Sequence, residues 1–237
     1  SGDDKSFSKI NLNKISKSLK QEQKKYKISL CGGDTVFSKK LSFTIVSVGF
    51  SKNIIFRNKA KLNDDIYVTG NLGDSFAGLE ILKKKIRTKK VLQKYFEQKY
   101  FLPSLCFKLT DKLLFFANSS IDISDGLFSD LTKLINDQKL SFKLILNDIP
   151  ISKKLETLIK LKKLNKKFFI SRGDDYQILF TAKPSKSSII KKFSNKLGIK
   201  ISKIGKICSQ SQKHHIIDQK GRKIVLKDKG YTHKFQS

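Results

Sequence analysis

The chain has 237 residues, of which 50 are Lys or Arg and 20 are Asp or Glu, so its formal net charge is +30. Hydrophobic residues make up 38% of the chain and aromatic residues 10%, which is enough for a folded core. The longest apolar run, 43–50, is far too short for a membrane span and the N-terminus carries no signal-peptide pattern, so we expect a cytoplasmic protein without membrane segments.

The first part of the chain predicts one helix and two strands. Apolar residues recur at helical spacing over about 11–25, which predicts an amphipathic helix. Two strands are predicted next, over 27–31 and over the Val- and Ile-rich stretch 41–50. The polar segment 51–64 has the composition of a connector and is the best candidate for a domain boundary.

After the connector, strands and helices are mixed and show no internal repeat. Strands are predicted over 66–69, 142–146, 168–170 and 177–181, with a further strand end near 121–124. Helices are predicted over 74–84, 90–98, 105–117, 126–136, 152–164 and 185–197. This mixture indicates the α/β or α+β class, with mixed sheets flanked by helices.

The excess of positive charge has two interpretations. A strongly basic chain can bind nucleic acid. Lysine is, however, spread over the whole length together with Ile, Asn and Phe, as in proteins of AT-rich genomes, and no zinc-finger, helix-turn-helix or RNA-recognition motif accompanies it. A solvated lysine-rich surface is therefore favoured, and a nucleic-acid-binding module stays as an alternative.

Four longer stretches lack Lys and Arg, and each holds or borders a motif of glycine and aspartate. These Gly–Asp motifs are C-G-G-D-T (31–35), T-G-N-L-G-D-S (69–75), I-D-I-S-D-G (121–126) and R-G-D-D-Y (172–176). Each one alone is compatible with an ordinary turn or helix N-terminus. Because each occurs where a predicted strand ends, we expect the four motifs to face a ligand crevice.

The residue types of the Gly–Asp motifs suit magnesium–nucleotide chemistry. Mg²⁺ prefers oxygen ligands and commonly binds one or two carboxylates together with substrate phosphates. Glycine lets backbone N–H groups approach phosphate oxygens closely. Phosphoryl transfer depends on positioning and charge neutralisation more than on a nucleophilic side chain, and the chain offers no clear Ser/His or Cys/His pair.

The order of the motifs resembles that of the thiamine-monophosphate kinase family, in the superfamily that also contains aminoimidazole ribonucleotide synthetase and selenophosphate synthetase. The matching segments are L-C-G-G-D-T (30–35), F-T-I-V-S-V-G (43–49), R-N-K-A-K-L-N-D-D-I-Y-V-T-G-N-L-G-D-S-F-A-G-L (57–79), I-D-I-S-D-G-L-F-S-D-L (121–131), G-D-D-Y-Q-I-L-F-T (173–181), I-G-K-I (204–207) and G-Y-T-H-K-F (230–235). The resemblance extends from about residue 10 to the end of the chain. It implies a two-domain synthetase-like fold.

The resemblance implies direct transfer of the γ-phosphoryl group of ATP to thiamine monophosphate, with several Mg²⁺ ions and no phosphoenzyme. By motif match, the residues at Mg²⁺ are Asp34, Asp122 and Asp125, those at ATP are Gly33, Asp34, Arg57 and Ser124, and those at the thiamine substrate are Asp174 and Tyr231. On this hypothesis the absence of lysine from 113–132 keeps ammonium groups from competing with the metal ions.

Three segments depart from the family pattern. G-D-D-Y-Q-I replaces G-E-D-Y-E-L, so Asp174 has a shorter side chain and Gln177 lacks a charge. L-P-S-L-C (102–106) replaces Arg-Pro-x-Pro-Arg and lacks both arginines. K-L-N-D (61–64) replaces a Gly/Pro turn, where Asn63 tolerates a left-handed conformation. These departures keep open an alternative in which a related superfamily enzyme acts on a purine-type substrate.

The start of the chain lacks the first motifs of the family. Family members carry G-D-D-A, S-T-D and N-x-S-D-x-A-A-M-G elements, which supply further Mg²⁺ ligands, and S-G-D-D (1–4) is similar to the first only superficially. We therefore expect 1–56 to be a remnant of an incomplete N-terminal ATP-binding and dimerisation domain, and 57–237 to be a C-terminal α/β domain. The full-length enzyme is then expected to be a cytoplasmic homodimer, and the chain as it stands to have little kinase activity.

Overall fold

The structure is a computed structural model that describes residues 1–3, 7–225 and 230. The chain divides into two compact units, Ser1–Ser51 and Lys52–Ser237. This division falls inside the predicted connector 51–64. The functional domain boundary between residues 56 and 57 stays a prediction.

The first unit contains one helix in its described part, α1 (Lys9–Tyr26), which confirms the helix predicted over 11–25. The helix begins after Ser8, whose side-chain oxygen accepts a hydrogen bond from the backbone N–H of Asn11. This side chain satisfies one of the N–H groups that a helix start leaves without an intrahelical partner.

The strands predicted over 27–31 and 41–50 are wrong, because both stretches are irregular and exposed. A strand needs a neighbour for its backbone N–H and C=O groups. In the described part of this unit, the β-type pairing is an isolated bridge between Gly2 and Phe37. The β-branched residues of 27–31 and 41–50 give both stretches strand propensity, but propensity does not supply a pairing partner.

The second unit combines a sheet with helices. Its strands are β1 (Asp65–Thr69), β2 (Ala117–Asp122), β3 (Leu140–Ile145), β4 (Ile178–Ala182), β5 (Ile201–Ser209), β6 (His215–Ile217) and β7 (Lys223–Ile224). Its helices are α2 (Asp74–Leu82), α3 (Lys90–Phe101), α4 (Thr110–Leu113), α5 (Leu127–Leu134), α6 (Lys153–Lys162), α7 (Lys166–Ile170) and α8 (Ser187–Leu197). Short 3₁₀ turns lie at Phe107–Leu109, Pro184–Lys186 and Gln210–Gln212. No helix in the described part of the chain is long and apolar enough to cross a membrane.

The seven strands in the described part of the chain form one mixed sheet in the order β2-β4-β1-β5-β3-β6-β7. Neighbouring strands are antiparallel except for β3 and β6, which are parallel. The predicted α/β class with a mixed sheet flanked by helices is confirmed. Because β4 lies between β1 and β2 and is antiparallel to both, the start of β4 lies beside the ends of β1 and β2. This arrangement brings together the loops at one edge of the sheet.

Helices cover both faces of the sheet, so all five residues of β1 are buried. Ile66 and Val68 belong to a core cluster that includes Leu131 of α5. Tyr67 points to the other face, where its ring stacks on Phe180 with a centroid distance of 5.3 Å. The alternation along β1 is the period of two that a strand imposes on its side chains.

Two local predictions for this unit are wrong and one is confirmed. Residues 168–170 form part of α7 instead of a strand, because the Asn165 side chain accepts a hydrogen bond from the N–H of Lys167 (3.0 Å) and so caps a helix. The helix predicted over 105–117 is reduced to a 3₁₀ turn and α4. Asn63 does adopt the left-handed conformation, with φ of 69°.

Candidate active site

Three of the four Gly–Asp motifs meet where β1 and β2 end and β4 begins. The backbone N–H of Asp174 donates to the carbonyl oxygen of Ser124 at 3.0 Å. A Cβ atom at Gly173 would collide with that same carbonyl oxygen, so glycine permits the close approach. The motifs 121–126 and 172–176 are therefore packed backbone against backbone.

The buried carboxylate of Asp175 ties the third motif, 69–75, to this pair. Its two oxygens accept hydrogen bonds from the backbone N–H groups of Gly73 (2.6 Å) and Ser75 (3.3 Å) at the start of α2. Burial raises the pKa of Asp175 to about 8, although both hydrogen bonds favour the ionised form. Asp175 is thus a structural link between two loops.

Asp130 fixes the loop that carries Asp125. One carboxylate oxygen of Asp130 accepts three hydrogen bonds, from the N–H groups of Ser124 (3.0 Å), Asp125 (2.9 Å) and Gly126 (3.0 Å). Asp130 is fully buried. Three N–H groups converging on one carboxylate hold the loop in a single conformation.

The expectation that lysine is kept away from these carboxylates is wrong. Lys133 follows the lysine-free stretch directly, and its ammonium binds both Asp125 and Asp130, the latter at 3.0 Å. Residues three apart on a helix share a face, and α5 therefore brings Lys133 back to Asp130. The absence of lysine from residues 113–132 therefore does not keep an ammonium group away from these carboxylates in the folded chain.

A cavity of about 450 Å³ opens beside the joined motifs. Its ionisable lining residues are the acids Glu80, Asp125 and Asp174 and the bases Lys83, Lys85 and Arg172. Its aromatic lining residues are Phe76, Phe168 and Tyr176. One cleft therefore offers carboxylates, cations and aromatic faces together, the combination that a ligand with a cationic ring and an anionic group requires.

The carboxylates of the cleft interact with one another. Burial and the neighbouring charge of Asp125 raise the pKa of Asp174, and Lys83 opposes this shift. The pKa of Tyr176 is raised by burial and then by Asp174, Asp122 and Asp125, among other groups. Asp174 and Tyr176 also have positive φ angles of 65° and 50°. Such backbone conformations are costly for these residues and concentrate at functional sites.

The donor set fits a magnesium ion that is shared with phosphates. The structure shows no group of three or more His, Cys, Asp and Glu side chains arranged as a metal site in its described residues. Mg²⁺, however, usually takes only one or two protein carboxylates and completes its shell with water and phosphate. Asp122, exposed at the end of β2 and outside the cavity lining, and Asp125, which lines the cavity, are oxygen donors of that kind. The charges of both raise the pKa of Tyr176.

The structure brings together part of the site predicted from sequence. Ser124, Asp125 and Asp174 line the cavity, whereas Arg57 is exposed and lies outside its lining. Gly33 and Asp34 are exposed residues of the first unit, and Tyr231 lies outside the described residues. The ligand roles of all eight predicted residues stay predictions.

Gln177 lies outside the cleft lining, although its lost charge motivated the purine-type alternative. It is buried, accepts a hydrogen bond from the Thr69 hydroxyl (2.9 Å) and donates one to the carbonyl oxygen of Ser104 (2.8 Å). Ser104 belongs to the departing segment 102–106. Two departures from the family pattern therefore contact each other, with Gln177 buried and Ser104 exposed.

The motifs in the sequence did not indicate several residues that line the cleft. Phe76, Glu80 and Lys83 follow the i, i+4, i+7 spacing of one helix face, which was the signal available for them. Arg172 is the first residue of the Gly–Asp motif 172–176, but the motif match gave it no role. Phe168 was assigned to a strand that does not exist.

Known proteins similar to this chain are thiamine-monophosphate kinases. The chain is 38% identical over 226 residues to that of Buchnera aphidicola subsp. Schizaphis graminum, covering 94% of this chain and 69% of the relative. It is 34% identical over 228 residues to that of Haemophilus influenzae, covering 92% and 67%. A solved structure of AaThiL complexed with AMPPCP and TMP superposes with a TM-score of 0.75 over 96% of this chain and 70% of that one, at 23% identity, which shows a shared fold.

No family model matches the chain. The relatives themselves decide its family, because the identity extends over nearly the whole chain and over two thirds of theirs. The chain belongs to the thiamine-monophosphate kinase family.

Proposed function

We propose that this protein catalyses the ATP-dependent phosphorylation of thiamine monophosphate to thiamine diphosphate. The observation that carries the proposal is the single cleft in which Asp125 and Asp174 face Lys83 beside the rings of Phe76 and Phe168. Thiamine monophosphate has a cationic aromatic ring and an anionic phosphate. Carboxylates and aromatic faces suit the ring, and lysine and arginine suit the phosphate.

The reaction is a direct transfer, in which a phosphate oxygen of thiamine monophosphate attacks the γ-phosphorus of ATP and ADP leaves. Asp122 and Asp125 would hold magnesium in the second unit, and Asp34 would hold it in the first. Bound Mg²⁺ neutralises phosphate charge and so makes the γ-phosphorus accessible to an anionic acceptor. Asp130 contributes by fixing the loop from which Asp125 projects.

Asp174 and Ser124 complete the proposed roles of the chain. Ser124 lies on the loop at the cavity, next to Asp125, where we propose that it contacts the nucleotide. Gly33 and Arg57 are proposed as nucleotide contacts on the motif match alone. Asp174 lies on the opposing loop and faces the same cavity, where its carboxylate would pair with the thiamine cation. Tyr231 is proposed as a second contact of the thiamine substrate.

We also propose that the enzyme works as a homodimer in the cytoplasm. The first unit exposes a run of large apolar side chains, with Ile45, Val46, Val48 and Phe50 between 78% and 98% exposed, which favours burial against a second copy. The free thiols of Cys31, Cys106 and Cys208 are compatible with a reducing compartment.

Binding and turnover together test the proposed function. Calorimetry is expected to show binding of thiamine monophosphate, and chromatography is expected to show thiamine diphosphate formed from it with ATP and Mg²⁺ by the full-length enzyme. The 237-residue chain is expected to form it only slowly, as its sequence predicts, and rapid synthesis by this chain would contradict that prediction. The substitution Asp125→Asn should lower turnover about 100-fold, because one charged ligand of the reacting complex is lost. Asp111→Asn, an exposed change of the same kind, should leave turnover unchanged.

Competing substrates make this test decisive. An aminoimidazole ribonucleotide precursor that binds in place of thiamine monophosphate would support the purine-type alternative and overturn the proposal. Tight, strongly salt-dependent binding of DNA or RNA without any thiamine monophosphate binding would support the nucleic-acid module instead. Turnover of Asp125→Asn at the unaltered rate would remove Asp125 from the proposed metal site.

A further inference from the structure

Arg172 is held in the cleft by an aromatic contact. Its guanidinium carbon lies 5.7 Å from the centroid of the Phe76 ring. Phe76 is itself fixed by an edge-to-face contact with Phe168, with 5.0 Å between the ring centroids. The arginine Nε is buried, while the residue as a whole is partly exposed at the cavity. Stacking on a ring orients the planar guanidinium, so less side-chain entropy is lost when it binds a ligand.

The backbone fixes Arg172 relative to the loop of Asp125. The N–H of Arg172 contacts the carbonyl of Phe169 at the end of α7 (3.4 Å). The next residue, Gly173, packs against the carbonyl oxygen of Ser124. Arg172 therefore projects into the cavity from a segment that is in backbone contact with the Asp125 loop.

The other cations of the cleft have different chemistry. Lys85 pairs with Glu80 at 3.5 Å, and Lys83 acts electrostatically on Asp174. A lysine ammonium is a point charge on a flexible stem. A guanidinium instead presents a rigid fork of N–H donors that matches two oxygens of one phosphate. Among these cations of the cleft, Arg172 is thus best suited to recognise a phosphate group.

We propose that Arg172 binds the phosphate of the phosphomonoester acceptor and that Phe76 positions its guanidinium. This inference rests on the proposed function, since it assigns one end of the same substrate. The consequence is a specificity: Arg172 discriminates the phosphorylated thiamine from thiamine itself, which has the same rings and no phosphate.

Calorimetry with two ligands tests this assignment. Arg172→Ala should raise the Kd for thiamine monophosphate about 10- to 100-fold, the range for a lost hydrogen bond between charged groups, and change the Kd for thiamine less than about twofold. Arg172→Lys should recover part of the loss. Phe76→Leu should weaken thiamine monophosphate binding by a smaller factor, because the guanidinium stays but is no longer oriented. Arg87→Ala, an exposed arginine outside the cavity lining, is the matched control.

The outcomes separate this inference from the proposed function. Unaltered thiamine monophosphate binding by Arg172→Ala, with the unsubstituted protein binding normally, would overturn the role of Arg172 and leave the proposed function standing. Equal weakening of both ligands would also overturn it, since a merely structural role acts on the whole cleft. Failure of the unsubstituted protein to bind thiamine monophosphate would overturn the proposed function and this assignment with it. Thermal unfolding of each variant identifies any loss that comes from misfolding.

Discussion

The ammonium group of Lys133 binds the carboxylate of Asp125, the residue proposed to hold Mg²⁺. The same ammonium binds Asp130 at 3.0 Å, so it lies between the loop that carries the proposed ligand and the side chain that fixes this loop. A cation that is paired with a metal-binding carboxylate must be displaced when the metal binds. We therefore predict that Lys133 competes with Mg²⁺ for Asp125.

Replacing Lys133 with alanine should strengthen metal binding. Removal of the competing ammonium is expected to lower the Kd for Mn²⁺, used as a spectroscopic substitute, by about two- to fivefold, the equivalent of a partly exposed ion pair. Electron paramagnetic resonance of free Mn²⁺ measures this Kd. Lys139→Ala, an exposed lysine just beyond α5, should leave it unchanged. An unchanged or higher Kd for Lys133→Ala would show that the lysine does not compete with the metal.

Replacing Asp130 with alanine should strongly destabilise the fold. Three backbone N–H groups would lose their shared acceptor, and the expected loss in the free energy of unfolding is about 2–4 kcal/mol. Asp130→Asn retains one acceptor oxygen and should cost less. Urea denaturation measures both variants against the exposed Asp111→Ala. A loss below about 0.5 kcal/mol for Asp130→Ala would contradict this structural role.

Periodicity allowed much of the second unit to be predicted. The segments that became β1, α2, α5 and α8 show clear strand or helix spacing, and tertiary packing did not override it. The stretch 41–50 had the same strand propensity but no described pairing partner, so its prediction failed. Local pattern is sufficient where the fold supplies the neighbour that the pattern requires.

Only part of the candidate site could be predicted from the sequence, for a similar reason. Motif order indicated Ser124, Asp125 and Asp174, and these do line one cavity. The roles of Asp130 and Arg172 depend on which backbone N–H or ring lies beside them, and that information exists only in the folded chain. Side chains that position others therefore escaped the motif search.

The buried Asp175 should make stability depend on pH. Its pKa is about 8 in the folded protein and about 3.9 when unfolded, so between these values the folded state holds a proton that the unfolded state has lost. The free energy of unfolding is therefore expected to fall by a few kcal/mol as the pH rises from about 5 to about 8. Burial also raises the pKa of Asp74, which acts in the same direction.

The substitution Asp175→Asn tests this pH dependence. Asparagine cannot ionise, so the slope of stability against pH should become flatter, with a residual slope to which Asp74 and Asp174 contribute because their pKa values are also raised. Urea denaturation at several pH values between 5 and 8.5 measures the slope. Asp111→Asn should keep the original slope, because that carboxyl is exposed. A slope for Asp175→Asn as steep as that of the unsubstituted protein would exclude Asp175 as its source.

The partly exposed Cys106 contacts the buried Gln177, with the sulfur 3.4 Å from the side-chain oxygen of Gln177. The family pattern has arginine and glutamate at these two positions. Two neutral residues therefore lie in contact at positions where the family pattern has opposite charges, and we predict that the two changes compensate each other. An ion lacking its partner in a buried site is costly, whereas a matched pair or a neutral pair is tolerated.

A double-mutant cycle at these positions should show strong coupling. Gln177→Glu alone should lower the free energy of unfolding by about 3 kcal/mol, because glutamate cannot donate to the carbonyl oxygen of Ser104 and buries a charge. Cys106→Arg alone should also destabilise. The double variant should lose less free energy of unfolding than the sum of the two single losses, by at least about 1 kcal/mol. The effect of Leu105→Arg, a change at an exposed neighbour, should simply add to the effect of Gln177→Glu on the free energy of unfolding. If the effects of Cys106→Arg and Gln177→Glu were also additive, the two changes would not compensate each other.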